Sequence, residues 1–245
     1  MITNMLKLKT TECEPTNHSE PDPEESTAEK TKGMTVIDLG NASQALYMSR
    51  FLSYQDSWDY FHYLDKYIHW TRPTIRVFGR SCIQVRVSRL PDLVYSGYQP
   101  RAYSWNEFPP LQEILDLVHK ALPGSKFNSL LLNRYKGGND YVGWHADDEK
   151  LYGPTPEIAS VSFGCERDFF LKKKPGMIEQ PKRNGDDPPS KRTKKNNDSD
   201  QHSFVLKHGS LLVMQGYTQR DWVHSVPKRV KAGAVRINLT FRLIC

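Results

Sequence analysis

The sequence predicts a mainly β protein with flanking helices, built around a sandwich or barrel of the jelly-roll type. Between Phe127 and Cys245, short apolar segments alternate with turns, which indicates eight short strands. Before Phe127, apolar residues recur mostly at helical spacing. The expected strands are residues 127–135, 141–146, 158–163, 167–172, 203–207, 210–214, 222–226 and 234–243.

Helices are expected in the first half of the chain. Between Val36 and Asp65, large apolar residues recur every three to five positions, which predicts helices packed through one face. Residues 75–87 alternate β-branched and polar residues and should form strands. A further helix should begin at Pro109 and end at Leu122, because its apolar residues share one face and proline is favoured in a first turn.

Two segments are expected to be disordered. Residues 1–33 hold seven acidic and four basic residues and few large apolar ones, so this acidic tail cannot bury enough surface to offset the entropy of ordering. A basic insertion at about 173–202 contains Pro-Gly, Asp-Asp-Pro-Pro and a lysine-rich run at 191–195. Because strands resume after the insertion, we expect one domain over residues 34–245.

Composition excludes some classes of protein and favours others. No apolar run is long enough to cross a bilayer, and no apolar segment follows the first lysines as a secretory signal requires. The four cysteines form no Cys-x-x-Cys pair, which argues against a disulfide framework or a structural zinc. The net charge of +6, from 34 basic and 28 acidic residues, favours a polyanionic partner, although many basic proteins bind no nucleic acid.

The last expected strand has one polar and one apolar face. Side chains alternate along a strand, so Ile237, Leu239 and Phe241 share the apolar face. An ordinary solvated face would explain the polar side. A pocket inside a barrel would explain it equally, because guanidinium groups bind a dicarboxylate in a bidentate manner. The polar residues are Arg236, Asn238, Thr240 and Arg242.

A metal site is indicated by His145-Ala146-Asp147, since side chains two residues apart on a strand can bind one ion. His202, His208 and His224 are candidates for a third ligand. His202 falls in the expected insertion and His208-Gly-Ser is typical of a turn, so we favour His224 in its apolar strand. A histidine in such a strand could also be an ordinary core residue.

Two histidines and one carboxylate would form a facial triad, the arrangement typical of non-haem Fe(II) oxygenases. A triad leaves three metal positions open. A 2-oxo acid could occupy two of them through its C1 carboxylate and keto oxygen, and dioxygen could take the third. The distal carboxylate of that acid would then need a cation such as Arg236 or Arg242.

Five motifs in order resemble the AlkB-type Fe(II)/2-oxoglutarate-dependent dioxygenases, most closely their eukaryotic nuclear branch that repairs alkylated DNA. They are residues 133–135, 143–149, 158–164, 208–212 and 236–242. The resemblance spans about residues 70–245 without the insertion, and implies a double-stranded β-helix (jelly-roll) core. It implies that His145, Asp147 and His224 bind Fe(II). It also implies a 2-oxoglutarate pocket lined by Asn133, Tyr135, Arg236, Asn238, Thr240 and Arg242.

The resemblance further implies oxidative demethylation of N-alkylated bases in DNA, such as 1-methyladenine and 3-methylcytosine, with dioxygen consumed and formaldehyde and succinate released. These lesion bases are cationic, so a neighbouring carboxylate would select them. Asp148 and Glu149 follow the ligand pair directly and are candidates for this role, although both could be solvated turn residues.

A damaged base must leave the duplex before it can react, and the enzyme must fill the gap. Val77, Phe78 and Gly79 resemble the duplex-probing turn of the family, with Phe78 as an apolar wedge, although Phe78 could be a hairpin core residue. Tyr95 aligns with an aromatic residue that stacks on the flipped base. The segment from Gln84 to Tyr95 is shorter than in relatives, which leaves the geometry of the substrate lid open.

The expected protein is therefore a monomeric nuclear enzyme that acts on methylated, duplex DNA. The lysine-rich run at 191–195 could be a nuclear-import signal, a DNA contact or a solvated linker. Two alternatives share the iron core, namely demethylation of RNA and hydroxylation of a protein. A third alternative is a metal-free nucleic-acid-binding module.

Overall fold

The computed structural model describes residues 30–31, 33–70, 83–88, 102–177 and 200–245. The strands in these ranges are β1 (Lys30–Thr31), β2 (Met34–Gly40), β3 (Ser43–Met48), β4 (Ile83–Ser88), β5 (Ala102–Tyr103), β6 (Ser129–Tyr135), β7 (Val142–His145), β8 (Ile158–Gly164), β9 (Arg167–Lys173), β10 (Gln201–Leu206), β11 (Ser210–Gly216), β12 (Trp222–Val226) and β13 (Arg236–Arg242). The α-helices are α1 (Tyr54–Tyr67), α2 (Pro109–Ala121) and α3 (Thr218–Asp221). Single 3-10 turns lie at Trp105–Glu107, Lys150–Tyr152 and Pro175–Met177.

Two sheets face each other and form the predicted jelly roll. The major sheet has the strand order β1-β2-β3-β11-β8-β13-β6-β4-β5, and the minor sheet has the order β10-β9-β12-β7. Every neighbouring pair is antiparallel except β4 and β5. The eight strands expected after Phe127 are all present as β6–β13, four in each sheet. The predicted fold class is confirmed.

The helical prediction from Val36 to Asp65 is wrong for its first half. β2 and β3 form a hairpin there, and Asn41 and Ala42 at its turn have φ values of 52° and 55°. Two consecutive positive φ angles are typical of the turns that join antiparallel strands. β3 also pairs with β11, so the hairpin extends the major sheet. This pairing between distant segments outweighs the local spacing of apolar residues.

The helices α1 and α2 cover the outer face of the major sheet. α1 begins after Ser53, whose hydroxyl accepts a hydrogen bond from the Asp56 N–H at 3.1 Å. α2 matches its prediction and buries Leu111, Ile114, Leu115 and Val118. They share one core cluster with Ile237, Leu239 and Phe241, the apolar face of β13. The polar face of β13 must therefore point between the two sheets.

The ends of both segments expected to be disordered are strands instead. Lys30 and Thr31, in the predicted acidic tail, pair with Thr35 and Met34. β9 and β10 extend into both ends of the predicted insertion. His202, which the sequence assigned to the insertion, pairs with Leu171 in β9. Residues 1–29 and 178–199 lie outside the described residues. Among the described helices, none has the length and apolar character needed to span a membrane.

Candidate metal centre and interior cavity

Three side chains meet at one wall of the space between the sheets. β7 and β12 are neighbours in the minor sheet, and their register pairs His145 with His224. The two imidazole rings have centroids 4.2 Å apart. Asp147 follows β7 by two residues, and one ligand atom from each of the three residues lies within 4.8 Å of the others. Within the described ranges, no other group of three such side chains is found.

Neighbouring groups orient both histidines. The Nδ1 of His145 is 2.8 Å from the Gly143 carbonyl oxygen, so Nδ1–H donates there and the lone pair lies on Nε2. That Nε2 is 3.7 Å from Asp147 Oδ1, which is too long for a hydrogen bond but suits two ligands of one ion. The ring of His224 stacks on Phe169 with centroids 5.4 Å apart. Both imidazoles are therefore held in place by the sheet.

Asp147 is buried and ionised. Its Oδ2 accepts hydrogen bonds from Arg242 Nη2 at 2.5 Å and from Arg242 Nε at 3.2 Å. Burial alone would raise the pKa of Asp147, but the charges of Arg242, His145 and His224, in that order, outweigh burial and hold it far below its usual value. The other oxygen, Oδ1, has no hydrogen-bond partner among the described residues.

These donors fit a ferrous ion. Two imidazoles and one carboxylate are the facial set that non-haem Fe(II) oxygenases use. A buried carboxylate oxygen with no hydrogen-bond partner is costly unless a cation satisfies it. Asp147 Oδ1 faces the two histidines, so an ion held by all three residues would satisfy it. His202 and His208 do not belong to this group.

A cavity beside the three residues is lined by polar side chains of β6 and β13. Its lining includes the predicted 2-oxoglutarate residues Asn133, Tyr135, Asn238, Thr240 and Arg242. All four polar residues of β13 are at most 7% exposed. The alternative of a solvated strand face is thereby excluded. One face of β13 lies under the helices, and on the other face Asn238, Thr240 and Arg242 line the cavity while Arg236 is buried outside its lining, so the strand has no solvated side.

The polar lining is tied together by hydrogen bonds. Asn238 Nδ2 donates to Ser160 Oγ at 2.7 Å and to the Val161 carbonyl oxygen at 3.1 Å. Thr240 Oγ1 donates to Asn238 Oδ1 at 3.2 Å. These bonds fix the amide of Asn238 between β8 and β13, so the wall of the cavity is rigid before any ligand enters.

The two arginines of β13 lie at opposite ends of that strand. Arg242 is paired with Asp147, whereas Arg236 lies six residues earlier, roughly 20 Å along an extended strand. Arg236 donates to Ser162 Oγ at 3.0 Å, and its guanidinium lies 4.9 Å from the centre of the Tyr135 ring. Arg167 lies 5.3 Å from the centre of the same ring. Tyr135 is therefore in contact with two cations.

The two acidic residues expected near the substrate differ in environment. The Asp148 side chain is 64% exposed, and its Oδ2 lies 3.5 Å from Lys174 Nζ. Glu149 is half-buried, with Oε2 fully buried. The other predicted substrate residues, Val77, Phe78, Gly79 and Tyr95, lie outside the described residues. The same holds for the lysine-rich run at 191–195.

Sequence reasoning missed Gln219. This residue is in α3, is 1% exposed, and accepts a hydrogen bond from the Asp147 N–H through Oε1 at 3.0 Å. A neutral side chain outside any recognised motif gives no signal of such a role. Its position in a short polar segment between two predicted strands is the one feature that marks it.

Comparison with known proteins identifies the family. A model of the 2OG-Fe(II) oxygenase superfamily matches residues 44–242. "DNA oxidative demethylase ALKBH2" of Arabidopsis thaliana is 66% identical over 216 residues, which cover 85% of this chain and 69% of that protein. "Alpha-ketoglutarate-dependent dioxygenase alkB homolog 3" of Homo sapiens is 46% identical over 121 residues, 49% of this chain and 38% of that protein. The human "DNA oxidative demethylase ALKBH2" is 39% identical over 150 residues, 61% of this chain and 51% of that protein.

A solved structure gives the same fold. "The structure of OsALKBH1" superposes with a TM-score of 0.52 at 18% identity, and covers 84% of this chain and 99% of that one. At this identity the likeness concerns the fold alone. The family match spans the three candidate ligands His145, Asp147 and His224. The chain belongs to the 2OG-Fe(II) oxygenase superfamily.

Proposed function

We propose that this protein is an Fe(II)- and 2-oxoglutarate-dependent DNA dioxygenase that removes N-alkyl groups from bases such as 1-methyladenine and 3-methylcytosine. The observation that carries the proposal is the convergence of His145, Asp147 and His224 at the cavity wall. The choice of DNA is supported by the 66% identity, over most of the chain, to a plant protein named a DNA oxidative demethylase.

In this proposal His145, Asp147 and His224 hold the iron. Bound iron would supply the redox chemistry by which dioxygen converts 2-oxoglutarate to succinate and carbon dioxide with one oxygen atom and hydroxylates the N-methyl group with the other, so that the methyl carbon leaves as formaldehyde. The residues proposed to hold 2-oxoglutarate are Asn133, Tyr135, Arg236, Asn238, Thr240 and Arg242.

The two arginines on the polar face of β13 could supply one cation to each carboxylate of a diacid. Arg242 lies beside Asp147 and would bind the carboxylate nearest the metal ligands. Arg236 would bind the far carboxylate together with the hydroxyl of Tyr135, whose ring it contacts. Each end of the diacid would then have its own cation. The closed, polar wall around Asn238 would keep bulk water from the reacting carbons.

Glu149 is the stronger candidate for selecting a cationic base. Its partly buried carboxylate would interact with a positive charge in a medium of low dielectric constant. Asp148 is exposed to water and beside Lys174, so its charge is screened and compensated.

We also infer that the substrate is duplex DNA, that the protein is a monomer and that it is located in the nucleus. The net charge of +9 after residue 33 favours a polyanionic substrate such as DNA, since 34 basic minus 28 acidic residues gives +6 and residues 1–33 contribute −3.

The test is turnover on defined substrates. Purified protein with Fe(II), 2-oxoglutarate and air is incubated with oligonucleotides that carry one 1-methyladenine, as duplex DNA, single-stranded DNA or RNA. We expect formaldehyde and succinate in equal amounts, fastest on DNA, and no product with His145→Ala. A clear preference for RNA would contradict the DNA assignment, and activity retained in His145→Ala would contradict the metal site.

A further inference from the structure

Gln219 links the two segments that supply the candidate metal ligands. Asp147 and Gln219 are 72 residues apart in the chain, yet the Asp147 N–H donates to Gln219 Oε1 at 3.0 Å. Gln219 belongs to α3, which leads directly into β12 and thus into His224. One buried amide therefore connects the segment of His145 and Asp147 to the segment of His224.

The amide of Gln219 is itself oriented from its other side. Its Nε2 donates weakly to the Met214 Sδ at 3.5 Å, and Met214 lines the cavity beside the three ligands. Gln219 and Met214 are 1% and 3% exposed. Because Nε2 faces Met214, Oε1 is the atom that faces Asp147, and water does not compete for either bond.

The helix that carries Gln219 is anchored on several sides. The hydroxyl of Thr218, which is fully buried, donates to the carbonyl oxygen of Gln215. Asp221 accepts a hydrogen bond from Asn41 Nδ2 at 2.7 Å, and its carbonyl oxygen accepts one from the Lys174 N–H at 2.7 Å. Lys174 Nζ donates to the Gln219 carbonyl oxygen at 3.1 Å. These bonds make α3 a fixed support.

Asp147 needs such a support because it has left the strand. β7 ends at His145, so the sheet ladder does not fix the peptide plane of Asp147. Arg242 binds Oδ2 and draws the carboxylate towards β13. A hydrogen bond from the backbone N–H of Asp147 fixes the plane from which the side chain extends, and so keeps Oδ1 directed at His145 and His224.

We propose that Gln219 is a positioning residue for metal binding, which holds Asp147 in its ligating orientation through the Asp147 N–H. The proposal rests on the proposed metal site. Partners one shell outside metal ligands typically change affinity by about 10–100-fold when they are removed. Gln219 acts through Asp147 and is not itself one of the three candidate ligands.

The experiment measures Mn(II) affinity in place of Fe(II), with free Mn(II) counted by electron paramagnetic resonance. Gln219→Leu removes the acceptor, and Gln219→Asn withdraws it by one methylene while staying polar. Both should bind Mn(II) at least about tenfold more weakly than the unsubstituted protein. Gln219→Glu keeps an acceptor oxygen at the same reach, and any negative charge it adds would attract the cation, so its Mn(II) affinity should not fall below that of the unsubstituted protein. If Gln219→Leu does not fold, as judged by circular dichroism, Gln219→Asn decides.

Gln215→Leu is the matched control. It removes a half-buried amide whose Nε2 donates to Glu157 Oε1 at 2.6 Å, away from the ligands, and should leave Mn(II) affinity unchanged. Affinity unchanged in both Gln219→Leu and Gln219→Asn would overturn the proposal. An equal loss in Gln219→Glu or in Gln215→Leu would overturn it as well. If the unsubstituted protein binds no Mn(II), the proposed function fails, and the inference fails with it.

Discussion

His224, which is buried, and His208, which is partly buried, have different surroundings, and the difference shows what makes a metal site. His224 lies in the interior cavity, beside His145 and the ionised Asp147. His208 lies outside the major sheet among aromatic rings, with Trp58 at 4.2 Å and Phe163 at 6.3 Å between ring centroids. Its Nδ1 accepts a hydrogen bond from the Gly164 N–H at 2.8 Å.

The two environments favour different chemistry. Around His224, a carboxylate and an arginine create a charged site in which a cation gains from both imidazoles and Asp147. Around His208, burial and, to a smaller extent, the nearby His62 lower the pKa of the imidazole to about 4. His208 therefore remains neutral and acts as a packing residue and an acceptor. Both histidines are at least partly withdrawn from water, so the neighbouring carboxylate distinguishes the candidate metal site.

The largest effect is expected at Asp147. Asp147→Ala removes a metal ligand and should abolish turnover. It also leaves the Arg242 guanidinium buried without its partner, which should cost about 3–5 kcal/mol of unfolding free energy. The measurements are formaldehyde release and urea unfolding of the metal-free protein. The double variant Asp147→Ala/Arg242→Met should regain most of the stability and none of the activity. If its free energy of unfolding stayed as low as that of Asp147→Ala, the unpaired arginine would not be the source of the loss.

A matched pair of substitutions separates the two histidines. His224→Phe should abolish Mn(II) binding and turnover, because one of three ligands is lost. His208→Phe should keep both near their original values, but should cost about 1–3 kcal/mol of stability, because the Gly164 N–H loses its acceptor. Turnover and thermal unfolding are measured for each. A loss of Mn(II) binding in His208→Phe would show that the aromatic cluster is coupled to the metal centre.

The smallest effect is a pH dependence carried by His208. Its pKa is about 4 when folded and about 6.5 when unfolded, so between these values the unfolded chain binds the extra proton. The stabilisation is complete above about pH 6.5 and is lost as the pH falls towards 4. Since His208 is only partly buried, we expect on the order of 1 kcal/mol after solvent screening.

That contribution is measured by comparing urea unfolding at pH 7 and pH 5 in the unsubstituted protein and in His208→Phe. The loss of stability at pH 5 should be smaller in His208→Phe by this amount. An identical pH dependence in both proteins would show that His208 does not carry it.

The local sequence pattern was sufficient to predict the strands in the second half of the chain. β6–β13 follow from short apolar segments between turns, because a strand that packs inside a sandwich needs little more than apolar residues and turn residues at the right places. The same reasoning failed for β2 and β3, where a helix was expected. Leu39 and Ala45 are buried by tertiary packing and by the pairing of β3 with β11, neither of which leaves a local trace.

Some features of the candidate site could likewise be predicted from the sequence, and others could not. His145 and Asp147 could be paired from their spacing, and His224 could be favoured among the remaining histidines from its apolar strand. Asn133 and Tyr135 were named through family resemblance alone. The exposure of Asp148 and the contact of Arg167 with Tyr135 could not be predicted, since the first depends on the path of the chain after β7 and the second joins strands of different sheets.

The sequence by itself determined the strand pattern, the alternation of β13 and the types of ligand available, because these are local properties of spacing and residue chemistry. The tertiary structure decided that the polar face of β13 is buried, that Arg242 pairs with Asp147, and that Gln219 supports the same residue. Each of these joins segments that are far apart in the chain. Such contacts arise from how two sheets close on each other, and no short stretch of sequence encodes them.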